Sequence, residues 1–227
     1  MFRLGLFLVF FLFEKSIFCI SIKRFIFYRI IMKYLKFFDE IEKIVLKDEL
    51  LIFLWVNDDG IIDFSYTDIV KTAWHSCWTV AWAYLIALKW LKALYGDNLP
   101  NRWKIKVEIK KDATEDNAWV IWCVLSNITW ATTNYWFGWI PTWEFNRRNT
   151  LFYNANIEED IRLTDLENWN SVWINYRPWK VVNPMKILKS AIWPDAKPED
   201  IKSFPIRFQN MVITIFENAD KVIEIIK

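Results

Sequence analysis

Few residues of this chain can do chemistry. His75 is the only histidine, and Cys77 follows two positions later in "KTAWHSCWTVAWAYLIALKWLKALYG", residues 71–96. Imidazole nitrogen and thiol sulfur are both zinc ligands. A thiol beside a base is also a candidate nucleophile. His75 and Cys77 are therefore the candidate catalytic pair, with Thr79 just beyond them as a ligand-binding candidate. Two residues apart, His75 and Cys77 would not share a face inside a helix. They can converge only on the turn before a helix or in its first residues. There the free N–H groups and the helix dipole favour a thiolate and can hold an anion. A plainer role fits the same pair: His75 caps the turn, and Cys77 is a small buried hydrophobe.

A second polar group lies further on. Arg147 and Arg148 in "FNRRNT" suit planar recognition of a carboxylate or phosphate, or they are solvated loop arginines. Thr129, Thr132, Thr133 and Asn134 line the same pocket or bond the backbone of their own loop. "NIEED" reads as a solvated acidic turn. No phosphate loop, GxGxxG or Ser-His-Asp pattern is visible.

These residues need elements to position them. "YLKFFDEIEKIVLKDELLIFL" has helical spacing, and "NDDG" is a turn. "CWTVAWAYLIALKWLKALYG" predicts a long helix ending at Gly96. "KIKVEIK" alternates as a strand. "NAWVIWCVLSNIT" predicts a second helix. "NTLFYNA", "DIRLTDL" and "SVWINYR" are strand candidates, the last two a hairpin. "PEDIKSFPIRFQNMVITIFENADKVIEII" is a helix pair or one helix bent at Pro205. The expected class is α+β: an antiparallel sheet packed against the long helix that follows His-x-Cys, with further C-terminal helices.

The chain has 16 Trp and 4 Gly in 227 residues, whereas ordinary proteins carry about 7% Gly. The two counts look exchanged. Trp169 follows Asn168 between the two hairpin strands, where Asn-Gly is the strongest turn signal. Trp179 follows Pro178, where a type II turn takes glycine. Trp193 ends "PMKILKSAIW" before Pro194, at a helix end that glycine commonly fills. One explanation covers all three: a codon read here as tryptophan (UGA) is read as glycine in the living host. The alternative is a genuinely tryptophan-rich core.

Length suits one domain, residues 32–227, able to bury a substantial core. Net charge is +2, too small to argue for nucleic acid or a membrane surface. Three dispersed cysteines give no disulfide framework, so a cytoplasmic location is expected. Residues 1–31 form a hydrophobic extension. Its apolar run, Leu4 to Phe13, is too short to span a bilayer, and no small-residue cleavage site follows it. Met32 is the expected start of translation, so a membrane partner enters only if residues 1–31 are real.

Read with glycine, the segment becomes "AGHSCGTVAGAYLIALKGLKALYG". It resembles the FmdE family, named for a component of formylmethanofuran dehydrogenase, whose signature is Gly-His-x-Cys followed by a small-residue helix. "SNITGATTNYGFGGIPTGEFNRRNT" is similar to a later segment of the bacterial branch. The resemblance covers residues 65–180. It implies a small α+β protein, often with zinc near His-x-Cys, that takes a small-molecule ligand as a homodimer. It carries over His75 and Cys77. The third zinc ligand would then come from the second polar segment, where Asp112, Glu115, Asp116 and Cys123 are candidates. A C-terminal four-cysteine finger found in some members is absent, since no cysteine follows Cys123. Two alternatives stand beside a metal-centred pocket: a metal-free thiol site, and a non-catalytic homodimeric interaction domain.

Overall fold

A computed structural model describes residues 33–136 and 145–227. The chain divides into two units, Met1–Leu35 and Lys36–Lys227, and every element below belongs to the second. The expectations for residues 1–31 lie outside the described residues.

The run from 34 to 54, expected as one helix, is three elements. A short helix α1 (Phe37–Glu40) precedes strand β1 (Ile44–Lys47) and helix α2 (Glu49–Phe53). Helical spacing lost to pairing: β1 lies antiparallel to β2 (Ile61–Phe64), Ile44 opposite Phe64 and Lys47 opposite Ile61. Ile44 and Leu46 point into the core while Val45 and Lys47 are exposed, a strand's alternation. Asp48 then caps α2 by accepting from the Leu50 N–H at 3.1 Å. The "NDDG" turn is present: Asn57 Oδ1 accepts from the Gly60 N–H at 2.9 Å, and Gly60 has φ +67°.

Helix α3 (Tyr66–Ala73) starts in a reciprocal cap, Ser65 bonding the Asp68 N–H while Asp68 bonds back, which satisfies two free donors of the first turn. The long helix is α4 (Trp78–Tyr95). It is buried nearly all round from Thr79 to Leu88, as befits a central helix with an apolar surface on every side. Gly96 ends it with φ +60°. Helix α5 (Ala118–Thr129) packs along α4.

The main sheet has five strands in the order β4-β3-β5-β6-β7: β3 (Ile105–Ile109), β4 (Leu151–Phe152), β5 (Ile161–Asp165), β6 (Ser171–Tyr176) and β7 (Ile223–Ile226). All pairs are antiparallel except β3 with β4. The β5–β6 hairpin stands as expected, Leu163 facing Val172, and α4 packs against β6 and β7. After β6 come helices α6 (Pro184–Ile192), α7 (Pro198–Glu217) and α8 (Ala219–Val222). Helix α7 runs unbroken through the exposed Pro205. The end of the expected helical run is instead strand β7, which gains backbone partners on β6. The class is α+β, with an antiparallel sheet on a long helix and further C-terminal helices.

Candidate functional site

His75 and Cys77 sit in the connector between α3 and α4, as their spacing required. Helix α3 closes on Trp74, whose φ of +67° turns the chain sharply. Cys77 is extended at φ −145° and stands at the N-cap of α4. His75 Nδ1 lies 2.7 Å from the Ala73 carbonyl oxygen. A carbonyl can only accept, so Nδ1 is the donor in this bond and Nε2 is turned away from it. The ring itself is exposed.

Cys77 is buried, with 8% of its surface exposed. Burial pushes its thiol above the ordinary value, against the pull of the Val80 and Thr79 N–H groups and the Thr79 hydroxyl. The loss of solvation outweighs the helix end, so the thiol is held protonated near neutral pH. Thr79 Oγ1 accepts a 2.8 Å hydrogen bond from Asn117 Nδ2, at the start of α5. Tyr66, buried below, bonds Ser76 at 3.0 Å.

Asn117 leads to a cavity of about 280 Å³ between α4, α5 and the sheet. Its wall includes Trp78, Trp82, Asn117, Asp160, Tyr176 and Arg177. Trp82 stacks on Tyr176 with ring centroids 4.3 Å apart and planes 10° from parallel. Arg177 donates to Asp160 at 2.8 Å, and the same carboxylate oxygen accepts from the Tyr176 N–H at 2.8 Å. Asn117, Tyr176 and Arg177 did not stand out in the sequence. Asn117 could have been noticed as a helix-start residue; the other two lie at the end of an ordinary strand.

The remaining site candidates are dispersed. Among the described residues no three His, Cys, Asp or Glu side chains come together as a metal site. Asp112 builds its own loop, accepting from the Thr114 N–H at 2.9 Å, the Thr114 hydroxyl at 2.6 Å and Asn154 Nδ2 at 2.7 Å. Those bonds, the Thr114 hydroxyl first, hold its carboxyl below the ordinary range. Glu115 accepts from the Asp112 N–H at 3.3 Å, and exposed Asp116 pairs with Lys111 at 2.7 Å. Cys123 lies within α5, its sulfur 4.0 Å from the Thr72 carbonyl oxygen and 3.7 Å from Asn127 Nδ2.

Arg147 is a structural pin. It is 1% exposed and donates to the carbonyls of Trp103 at 2.6 Å, Ile105 at 2.5 Å and Thr129 at 3.0 Å. It thereby ties the C-terminal end of α5 to the start of β3, where a cation also meets the helix dipole. Burial and the neighbouring Arg102 charge lower its pKa. Arg148 is exposed and reaches the Trp136 carbonyl at 3.2 Å. Thr129 bonds the Leu125 carbonyl at 2.7 Å, and Thr132 bonds the Arg147 carbonyl at 2.9 Å. Thr133 reaches only Asn134, at 3.4 Å. The Thr132 bond braces a loop, one of the two roles the sequence left open, whereas the Thr129 bond lies inside α5 and the Thr133 contact is to a side chain. Residues 137–144, inside the segment that carried part of the resemblance, lie outside the described residues.

The glycine expectations divide. Trp169 does take a left-handed backbone, φ +62°, although the β5–β6 connection is longer than a two-residue turn. Trp179 lies in a 3₁₀ turn, Pro178–Lys180, and is not among the left-handed residues. Trp193 is extended, with φ −73° and ψ 152°. The residue before a proline is driven to that region, so Pro194 explains the helix end without any need for glycine. Set against protein-family models and curated proteins, the chain matches none. No helix among the described residues is long and apolar enough to cross a membrane.

Proposed function

We propose that this chain is a small-ligand-binding domain of the FmdE type, with its site at the His75–Cys77 corner and the adjoining cavity, whose wall would lose the Trp78 and Trp82 indoles where the resemblance reads glycine. One observation carries the reading. The 280 Å³ cavity is joined to the Cys77 thiol through Asn117 and Thr79, by one hydrogen bond and one shared helix turn. A space of this kind, mostly apolar with a few convergent polar groups, is the usual form of a small-molecule site. In the ligand-free protein the thiol is protonated and acts as a hydrogen-bonding group. A ligand that brings a positive charge, or a metal, would draw the proton off.

The zinc reading is favoured by one detail: Nδ1–H of His75 is tied to a carbonyl, which is how metal-binding imidazoles are commonly oriented. Zinc, when bound, would hold the thiolate of Cys77 and Nε2 of His75. The expected third donor from Asp112, Glu115, Asp116 or Cys123 does not join them, so the protein donor set falls short of the three usual at a catalytic zinc.

Zinc content and Cys77 alkylation, measured on one sample, separate the readings. A metal-free thiol pocket predicts substoichiometric zinc and alkylation that accelerates only at alkaline pH. The zinc reading predicts one zinc per chain, lost in both Cys77→Ser and His75→Ala. If neither variant changes metal content, and neither zinc nor a small alkylammonium cation alters the rate of Cys77 alkylation, the binding reading fails.

A further inference from the structure

Seven residues other than glycine adopt left-handed backbone among those described: Trp55, Trp74, Asp116, Trp130, Asn149, Asn154 and Trp169. Asp and Asn tolerate that region because their short side chains bond locally; a bulky residue there is an outlier. The only other described residues with positive φ are Gly60 and Gly96. Left-handed backbone among the described residues is thus occupied by Gly, Asn, Asp and Trp alone. No described Lys or Phe is found there, common as both are in the chain.

The local geometry at each Trp is a glycine geometry. Trp55 follows α2 with its N–H on the Ile52 carbonyl at 3.0 Å, and the Val56 N–H bonds Leu51 at 2.8 Å. That pair of bonds is the helix-ending motif whose left-handed position glycine usually fills. Trp130 ends α5 at φ +56°, with its N–H on the Ser126 carbonyl at 2.6 Å. Trp74 ends α3, and Trp169 closes the β5–β6 connection on the Asp165 carbonyl at 2.8 Å. Packing gives three of these indoles no purpose: Trp55 and Trp74 are 86% exposed and Trp169 71%.

Trp103 is different in every respect. It is 5% exposed and has ordinary backbone. Its Nε1 donates to buried Asp48 at 2.7 Å, beside the Arg102 ion pair. Without that indole, Asp48 loses a donor and the core gains a hole.

We propose that positions 55, 74, 130 and 169 are glycine in the protein its own host makes, and that Trp103 is a true tryptophan. A code that reads UGA as glycine and UGG as tryptophan produces both. Position 74 is the residue before His75, so the assignment also fixes the chemistry of the connector. It does not rest on the functional reading, because it can hold whether or not the cavity binds anything; the FmdE resemblance, in turn, rests on glycine at position 74.

The test is fragment-ion sequencing of peptides from the host's own protein. Trypsin gives 48–71 for position 55, 72–89 for 74, 112–147 for 130 and 163–180 for 169; cleavage at lysine alone gives 93–104 for 103. Glycine at the four positions and tryptophan at 103 is the expected result. Tryptophan at any of the four overturns the glycine assignment, and glycine at 103 overturns the other half. Recombinant protein gives a second measurement. The variant carrying Trp55→Gly, Trp74→Gly, Trp130→Gly and Trp169→Gly should unfold at higher denaturant concentration than the chain as written, and Trp103→Gly at lower. The reverse order contradicts the proposal.

Discussion

Two polar regions sit at opposite ends of the same logic. Around Asp48 every group is partnered. Its carboxylate takes Arg102 at 2.8 Å, the Trp103 indole at 2.7 Å and the Leu50 N–H at 3.1 Å. Arg102 also donates to the Ile128 and Asn127 carbonyls at 2.7 and 2.5 Å. Around Cys77 a buried thiol faces backbone donors it cannot fully exploit, beside an exposed imidazole and a cavity. A saturated polar network fixes a fold; an unsaturated one leaves chemistry available. Charge alone does not tell the regions apart, since the more highly charged one is the structural one.

The comparison breaks first at Asp48. Asp48→Ala strands the buried Arg102 and should cost about 3–5 kcal/mol of stability, read from the shift in denaturant midpoint. A loss below about 1 kcal/mol would mean the network is not saturated. Trp103→Phe keeps most of the packing but removes one donor and should cost about 1–3 kcal/mol.

Removing the surplus indole at the connector works the other way. Trp74→Gly should gain about 1 kcal/mol by relieving a left-handed backbone, and thermal unfolding would report it. Cys77→Ser should change stability by less than about 1 kcal/mol, because serine is a better helix cap than cysteine. A large loss there would make Cys77 a core residue and nothing more.

A smaller effect is pH-dependent. Burial raises the Glu108 carboxyl, but hydrogen bonds from Arg162 at 2.6 Å and the nearby Lys106 outweigh it and hold the group below its ordinary value. A carboxyl depressed in the folded state contributes stability above its unfolded value of 4.5 and loses it as pH falls through the folded one. Unfolding curves from pH 7 down to 3 should therefore steepen below about pH 4.5, and Glu108→Gln should flatten that part of the profile. An unchanged profile would mean that Glu108 contributes nothing to the acid sensitivity.

Much of this was legible in the sequence. Helix α4 was plain because Gly96 closes it and its apolar residues run without interruption. The β5–β6 hairpin showed in its alternation. Strands β1 and β7 did not, because "IVLK" and "VIEII" sit inside runs whose local spacing suits a helix, and only a partner strand decides otherwise. The corner holding His75 and Cys77 followed from their two-residue spacing. The scattering of Asp112, Glu115, Asp116 and Cys123, and the burial of Arg147, depend on packing between distant elements that no local pattern encodes. Trp193 shows the same limit in the backbone: it stands before a proline, whose geometry holds it extended.

The most direct test is the rate of Cys77 alkylation against pH, followed on the tryptic peptide 72–89 so that Cys19 and Cys123 do not contribute. Slow modification at neutral pH is expected, with an inflection above the ordinary thiol value of 9.0, because burial outweighs the helix end. Rapid modification at pH 7 with an inflection below 9.0 would show a thiolate already formed, and would contradict a pocket whose thiol waits for its ligand.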